Sequence, residues 1–97
     1  MIDVTFLPAA NQDFHEAYNW YHTASPRAAA GFEAAVEVAL SSLAASPLRW
    51  PSYDERHRFY VLRRYPFKLV YRVIDDRVLI VAVAHLKRSP KYWKDRI

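Results

Sequence analysis

The densest collection of reactive side chains is His85-Leu86-Lys87-Arg88-Ser89-Pro90-Lys91-Tyr92-Trp93-Lys94-Asp95-Arg96, with an imidazole, five cations, a phenol and an indole in twelve residues. An imidazole titrates near neutrality and acts as general acid or base when it is rigidly held. Cations hold phosphates electrostatically, while tyrosine and tryptophan stack on bases or on a partner's apolar surface. His85 is therefore a candidate for proton transfer, with a structural hydrogen bond as the competing role. Trp93 reads foremost as a hydrophobic anchor that docks the tail, and otherwise as a stacking contact for a partner. Arg58, Arg63, Arg64, Lys68 and Arg72 carry the positive character onto preceding segments. Lys68 and Arg72 share strand parity and hence a face, whereas Arg63 and Arg64, if extended, point to opposite faces.

Other chemistries find little support. The chain has no cysteine and one glycine in 97 residues, which excludes thiol catalysis, disulfides and Cys-based zinc sites and argues against a Gly-rich nucleotide loop. That glycine, Gly31, falls in a helical segment, so no serine sits in a glycine elbow. His15 and His22 are two helical turns apart, about 10 Å, too far to share an ion. His57 and His85 are placed to meet across strands but lack an acidic motif beside them. No metal and no cofactor are expected, and no carboxylate pair falls on the basic face. The longest uninterrupted apolar run, Val78 to Ala84, is too short to span a bilayer, and Met1-Ile2-Asp3 lacks the basic-then-apolar start of a signal peptide. The expectation is a cytoplasmic protein with no membrane partner.

The elements that must position the tail are legible from periodicity. Ile2, Val4 and Phe6 alternate as in a half-buried strand ending at Leu7-Pro8. Phe14, Ala17, Tyr18 and Tyr21 then share one face of a helix over about 9–22, with Asp13, Glu16 and Asn19 on the other. Ser25-Pro26 is a helix start, a hydroxyl cap followed by a residue that needs no donor. The second helix runs to about Ala45, with Ala29, Phe32, Val36, Ala39, Leu40 and Leu43 as its apolar stripe, and Ser46-Pro47 ends it. Gly31 within it implies a close approach, expected from the first helix. Residues 48–57 read as a loop anchored by aromatics. Strands are predicted over 58–63, 66–74 and 77–85, with Asp75-Asp76 as a hairpin turn and the last strand central. The tail either forms a short helix or lies across the sheet. The predicted architecture is a single α+β domain over 1–97, an αα-hairpin on one face of a mostly antiparallel sheet in the order β-α-α-β-β-β.

Charge follows the same division. The net charge is +4, yet residues 1–48 carry −4 and residues 49–97 carry +8, with thirteen of the fourteen Lys and Arg in the second half. The expectation is that these cations converge on one exposed surface that another macromolecule recognises.

Over nearly its whole length the sequence resembles the RelE/ParE-type toxins of bacterial toxin–antitoxin pairs. Ser25-Pro26-x-Ala28-Ala29 and Leu43-x-x-Ser46-Pro47 resemble the family's second helix. Closer still are Arg58-x-Tyr60-x-Leu62-x-x-Tyr65-Pro66-Phe67-x-Leu69-Val70-Tyr71-Arg72 and Ala82-Val83-Ala84-His85-x-x-Arg88-x-Pro90-x-Tyr92-Trp93-x-x-Arg96. The sequence looks nearer the ParE, plasmid-stabilisation branch. The resemblance implies a growth-inhibiting toxin neutralised by a cognate antitoxin in a toxin–antitoxin hetero-oligomer. ParE-like members act by binding DNA gyrase, which here would use Arg58, Arg64, Lys68, Arg72, Lys87, Arg88, Trp93 and Arg96. The alternative is a RelE-like endonuclease cutting mRNA on the ribosome, with His85, Tyr92 and Arg88 to deprotonate the 2′-OH, protonate the leaving oxygen and stabilise the phosphorane. The lysine pair of RelE-like enzymes ahead of the second strand is missing, since residues 48–58 hold only Arg49, Arg56 and Arg58 as cations. A non-toxic basic binding module is a third reading.

Overall fold

A computed structural model describes residues 2–97. Leu7 and Pro8 set the first boundary: β1 (Asp3–Phe6) ends there, and α1 (Pro8–Ala24) starts on the proline, whose missing N–H is not needed in a first turn. Only Ser25 separates α1 from α2 (Pro26–Ala45), and its hydroxyl accepts from the Ala28 N–H at 3.3 Å. Three strands follow, β2 (Arg58–Val61), β3 (Phe67–Ile74) and β4 (Arg77–His85), and then a single turn of helix, α3 (Lys91–Lys94).

The sheet order is β1-β4-β3-β2, antiparallel except that β1 runs parallel to β4. β4 is thus central, as its uninterrupted apolar run predicted. Asp75 and Asp76 both have positive φ, 47° and 62°, the backbone of the two-residue turn whose twist matches paired strands. The helical hairpin covers one sheet face. Phe32, Val36, Ala39 and Leu43 from α2 are buried with Ala10 and Ala17 from α1 and with Leu69, Tyr71, Val78, Ile80 and Val83 of the sheet. By length and composition α2 is apolar enough to cross a membrane, although its apolar residues form no long unbroken run; here its apolar stripe faces the core.

Two details differ from the sequence-based expectation. The close approach at Gly31 comes from Tyr65 in the β2–β3 turn rather than from α1: a Cβ there would collide with the Tyr65 hydroxyl. Tyr65 is held by edge contacts to Tyr21 and Phe32, at 5.2 and 5.7 Å between ring centres, and donates to the Ala28 carbonyl at 3.4 Å. The second detail is a β-bulge. Val70 pairs with Ala82 but Tyr71 with Ile80, so Val81 is an extra residue. Val78 and Ile80 therefore face the helices, the parity shifts by one, and Val83 faces them again. Val81, Ala82 and Ala84 instead pack with Val70 and Trp93 on the other face.

Candidate functional site

The tail owes its position to the end of β1. β1 pairs with Arg77 to Ile80 of β4, and its last ladder bond is the Leu7 N–H to the Ile80 carbonyl. Beyond that point the chain has turned into α1, and the edge of β4 would be left with unpaired backbone groups. Two side chains supply the missing partners. Asp13 Oδ2 accepts from the Val83 N–H at 3.1 Å, and Arg96 Nη1 donates to the Val81 carbonyl at 3.0 Å. The two also bind each other bidentately, at 2.7 and 3.1 Å, with side chains 9% and 17% exposed. The Asp13 hydrogen bonds raise the Arg96 pKa further, so the guanidinium stays charged. Trp93, fully buried, seats the other side of the tail on the sheet, with His57 and Tyr53 against its ring at 4.9 and 5.2 Å.

This arrangement opens a cleft of about 340 Å³ between α1 and the C-terminal end of β4. His85, Arg88 and Tyr92, the three residues singled out for catalysis, all line it, together with Asp13, Glu16, Trp20, Tyr21 and Phe67. The bonding of each side chain bears on what it can do there. His85 Nδ1 is 3.1 Å from the Lys87 backbone nitrogen, a group that only donates, so Nδ1 is the acceptor and the neutral ring carries its proton on Nε2. The lone pair a base would use is occupied. Burial pushes the Tyr92 hydroxyl up to about 12, with the Asp13 charge adding to it and the Arg88 and Arg96 guanidiniums opposing it. Tyr92 is thus a hydrogen-bond donor at neutral pH. The Arg88 guanidinium sits over the Tyr92 ring, 3.7 Å from the centroid, and makes no ion pair among the described residues. Glu16, which also lines the cleft, is exposed and accepts from Gln12 at 3.5 Å.

The remaining candidates are dispersed. Arg58 Nη1 donates to the Leu48 and Trp50 carbonyls at 3.1 and 2.6 Å, tying the long loop to β2. Lys68 points to the sheet face away from the helices, with its ammonium 5.5 Å from Phe59 and 5.8 Å from Tyr53, and Lys94 approaches Tyr53 from the tail at 5.5 Å. Arg72 shares the parity of Lys68 and is half-buried. Arg64 is exposed in the β2–β3 turn with φ 69°, and the Leu86 N–H to Pro66 carbonyl bond brings that turn beside Lys87 and Arg88.

Three expectations are corrected. Trp93 has no exposed surface to offer a target and is the anchor of the tail. The cations do not form one surface, because Arg58 and Arg96 are spent on internal bonds while the others divide between the sheet's open face and its cleft end. His57 and His85 do not meet: His57 precedes the edge strand β2, two strands from β4, and its Nδ1 is bound to Asp54 at 2.9 Å. Burial works against ionisation of Asp54, but N–H bonds from Arg56 and His57 and the imidazole outweigh it and hold the carboxyl below its usual range. Among the described residues no group of three His, Cys, Asp or Glu is placed to hold a metal.

Two cleft residues depart from the sequence pattern: Asp13, expected on the outer face of α1 with Glu16 and Asn19, is instead turned onto β4 and Arg96, and Trp20 has no predicted role. Asp13 lies on the stripe Ala10, Asp13, Ala17, spaced i, i+3, i+7 between two buried alanines, and that spacing was the available signal. Trp20 is 69% exposed on the cleft rim, a position no periodicity explains.

An αα-hairpin on a four-stranded sheet, with a basic tail clipped beside a donor-lined cleft, defines a small α+β recognition domain. Its relatives narrow the class. The family model for the ParE toxin of the type II toxin–antitoxin system parDE matches residues 4–90. A chain of the chromosomal ParDE toxin–antitoxin system from P. aeruginosa superposes with a TM-score of 0.76 at 20% identity, covering 88% of this chain and 96% of that one. No curated protein matches the sequence. The chain belongs to the ParE toxin family.

Proposed function

We propose that this chain arrests growth by binding an intracellular target, DNA gyrase, and that a cognate antitoxin neutralises it in a toxin–antitoxin complex. The observation that carries this reading is the Lys87 N–H bond to His85 Nδ1, which leaves the best placed imidazole without a lone pair for proton abstraction. With Tyr92 also held protonated, the cleft favours recognition over hydrolysis. The exposed cations Arg63, Arg64, Lys87 and Arg88 at one end of the sheet suit an acidic protein surface and predict salt-sensitive association.

The convergence of His85, Arg88 and Tyr92 is the one observation favouring the RelE-like reading, ribosome-dependent mRNA cleavage. The test sets purified chain against gyrase in a supercoiling assay, with and without the product of the adjacent gene. The expected result is inhibition that the adjacent product relieves, together with a higher melting temperature of the mixture. Arg88→Ala should weaken inhibition about tenfold at low salt. Absence of any gyrase association, with mRNA cut on ribosomes, overturns the proposal.

A further inference from the structure

The cleft beside α1 has a composition that its neighbours leave unfinished. Its apolar side is formed by Trp20, Phe67 and Val83, and Trp20 is 69% exposed. Its polar side presents donors. The Lys87 bond fixes the proton of neutral His85 on Nε2, and the Phe67 ring meets the imidazole edge-on at 5.1 Å, which holds its orientation. Arg88 is laid against Tyr92, so one face of the guanidinium is covered while its N–H edge has no acceptor among the described residues. Donors that are oriented, unpaired and next to an aromatic floor call for an acceptor, and a cation among them calls for an anion.

The acidic groups of the cleft narrow the choice. Asp13 is occupied by Arg96 and the Val83 N–H and does not compete for Arg88. Glu16 also lines the cleft, and a carboxylate there opposes a ligand carrying two negative charges more than one carrying a single charge. A volume of about 340 Å³ is at the small end of ligand pockets, room for one ring and a headgroup.

We propose that this cleft binds a monoanionic carboxylate on an aromatic or bulky aliphatic body, with the carboxylate on Arg88 and His85 and the body against Trp20 and Phe67. A free C-terminal residue of a peptide and a small aromatic acid share that chemistry. Arg88 also belongs to the target-binding surface proposed above, so a bound carboxylate and the target would share that residue.

The experiment titrates the isotope-labelled full chain with phenylacetate, phenylacetamide and phenyl phosphate, following the Trp20 indole N–H and the backbone amides by NMR. Phenylacetate should shift Trp20, His85 and Arg88 saturably, with phenylacetamide at least about tenfold weaker. Arg88→Gln, an exposed substitution whose fold the same spectra verify, should weaken phenylacetate by about tenfold. Glu16→Gln should strengthen phenyl phosphate more than phenylacetate. A short peptide ending in phenylalanine, as acid and as amide, separates the two sources. An acid peptide tighter than phenylacetate assigns the site to chain termini, and one weaker assigns it to small acids. Equal midpoints for acid and amide, shifts away from the cleft, or an Arg88→Gln variant that binds as well as the parent would overturn the proposal.

Discussion

Asp13 and Arg96 lie 83 residues apart and share two hydrogen bonds, while each also serves a backbone group of β4 that β1 is too short to reach. Removing one partner strands the other, together with a buried N–H or carbonyl. Asp13→Ala should therefore cost about 2–4 kcal/mol in urea unfolding, and Asp13→Asn less, because an amide oxygen still accepts from Val83. A loss below about 0.5 kcal/mol would reduce the clip to an ordinary surface pair. Tyrosine ionisation gives a second test. Tyr71, buried and donating to the Pro47 carbonyl at 2.6 Å, is pushed up to about 12 by burial against the opposing Arg58 charge, as Tyr92 is by its own surroundings. Both hydroxyls ionise near 10 when unfolded. Their contribution is thus complete below pH 10 and disappears as pH rises from there to about 12. Melting temperature should fall across that window, and Tyr92→Phe should flatten part of the fall. The types of these residues were plain in the sequence, but the pairing of Asp13 with Arg96 was not, because a helical carboxylate with polar neighbours reads as solvent-facing until the end of β1 is placed beside β4.

The helices were easy to delimit because Ser25-Pro26 and Ser46-Pro47 mark their ends chemically. The β4 bulge was hidden for the opposite reason: Val78 to Ala84 is apolar throughout, so alternation carries no information about which side each residue faces. The tail is the element on which the cleft depends, and Trp93 is what seats it. Trp93→Ala should cost about 3–5 kcal/mol and release Arg88 and Tyr92 from their positions, seen as early proteolysis after residue 86. A variant with unchanged stability and unchanged protease resistance would contradict the anchoring role. At Gly31, alanine gains helix propensity but must displace a Tyr65 ring already wedged between Tyr21 and Phe32. The net effect should be destabilising, and Tyr65→Phe in the same background should recover part of it by removing the colliding oxygen.

At the scale of the molecule, charge and topology divide the labour. The acidic first half supplies β1 and the two long helices, while the basic second half supplies the other three strands, the tail and most of the cations. The charge asymmetry was visible in the sequence, but its distribution in space was not, since strand order, a bulge and two internal guanidiniums decide where each cation goes. The proposal that this ParE-family chain acts by binding rests on His85 accepting the Lys87 N–H at Nδ1 instead of serving as a base. Inducing the wild type and His85→Ala in cells, while mapping mRNA ends and chromosomal breaks together, tests that most directly. The expected result is gyrase-linked DNA breaks, no ribosome-phased mRNA cuts, and toxicity that survives His85→Ala. Ribosome-phased cuts that vanish in a folded His85→Ala protein would contradict it.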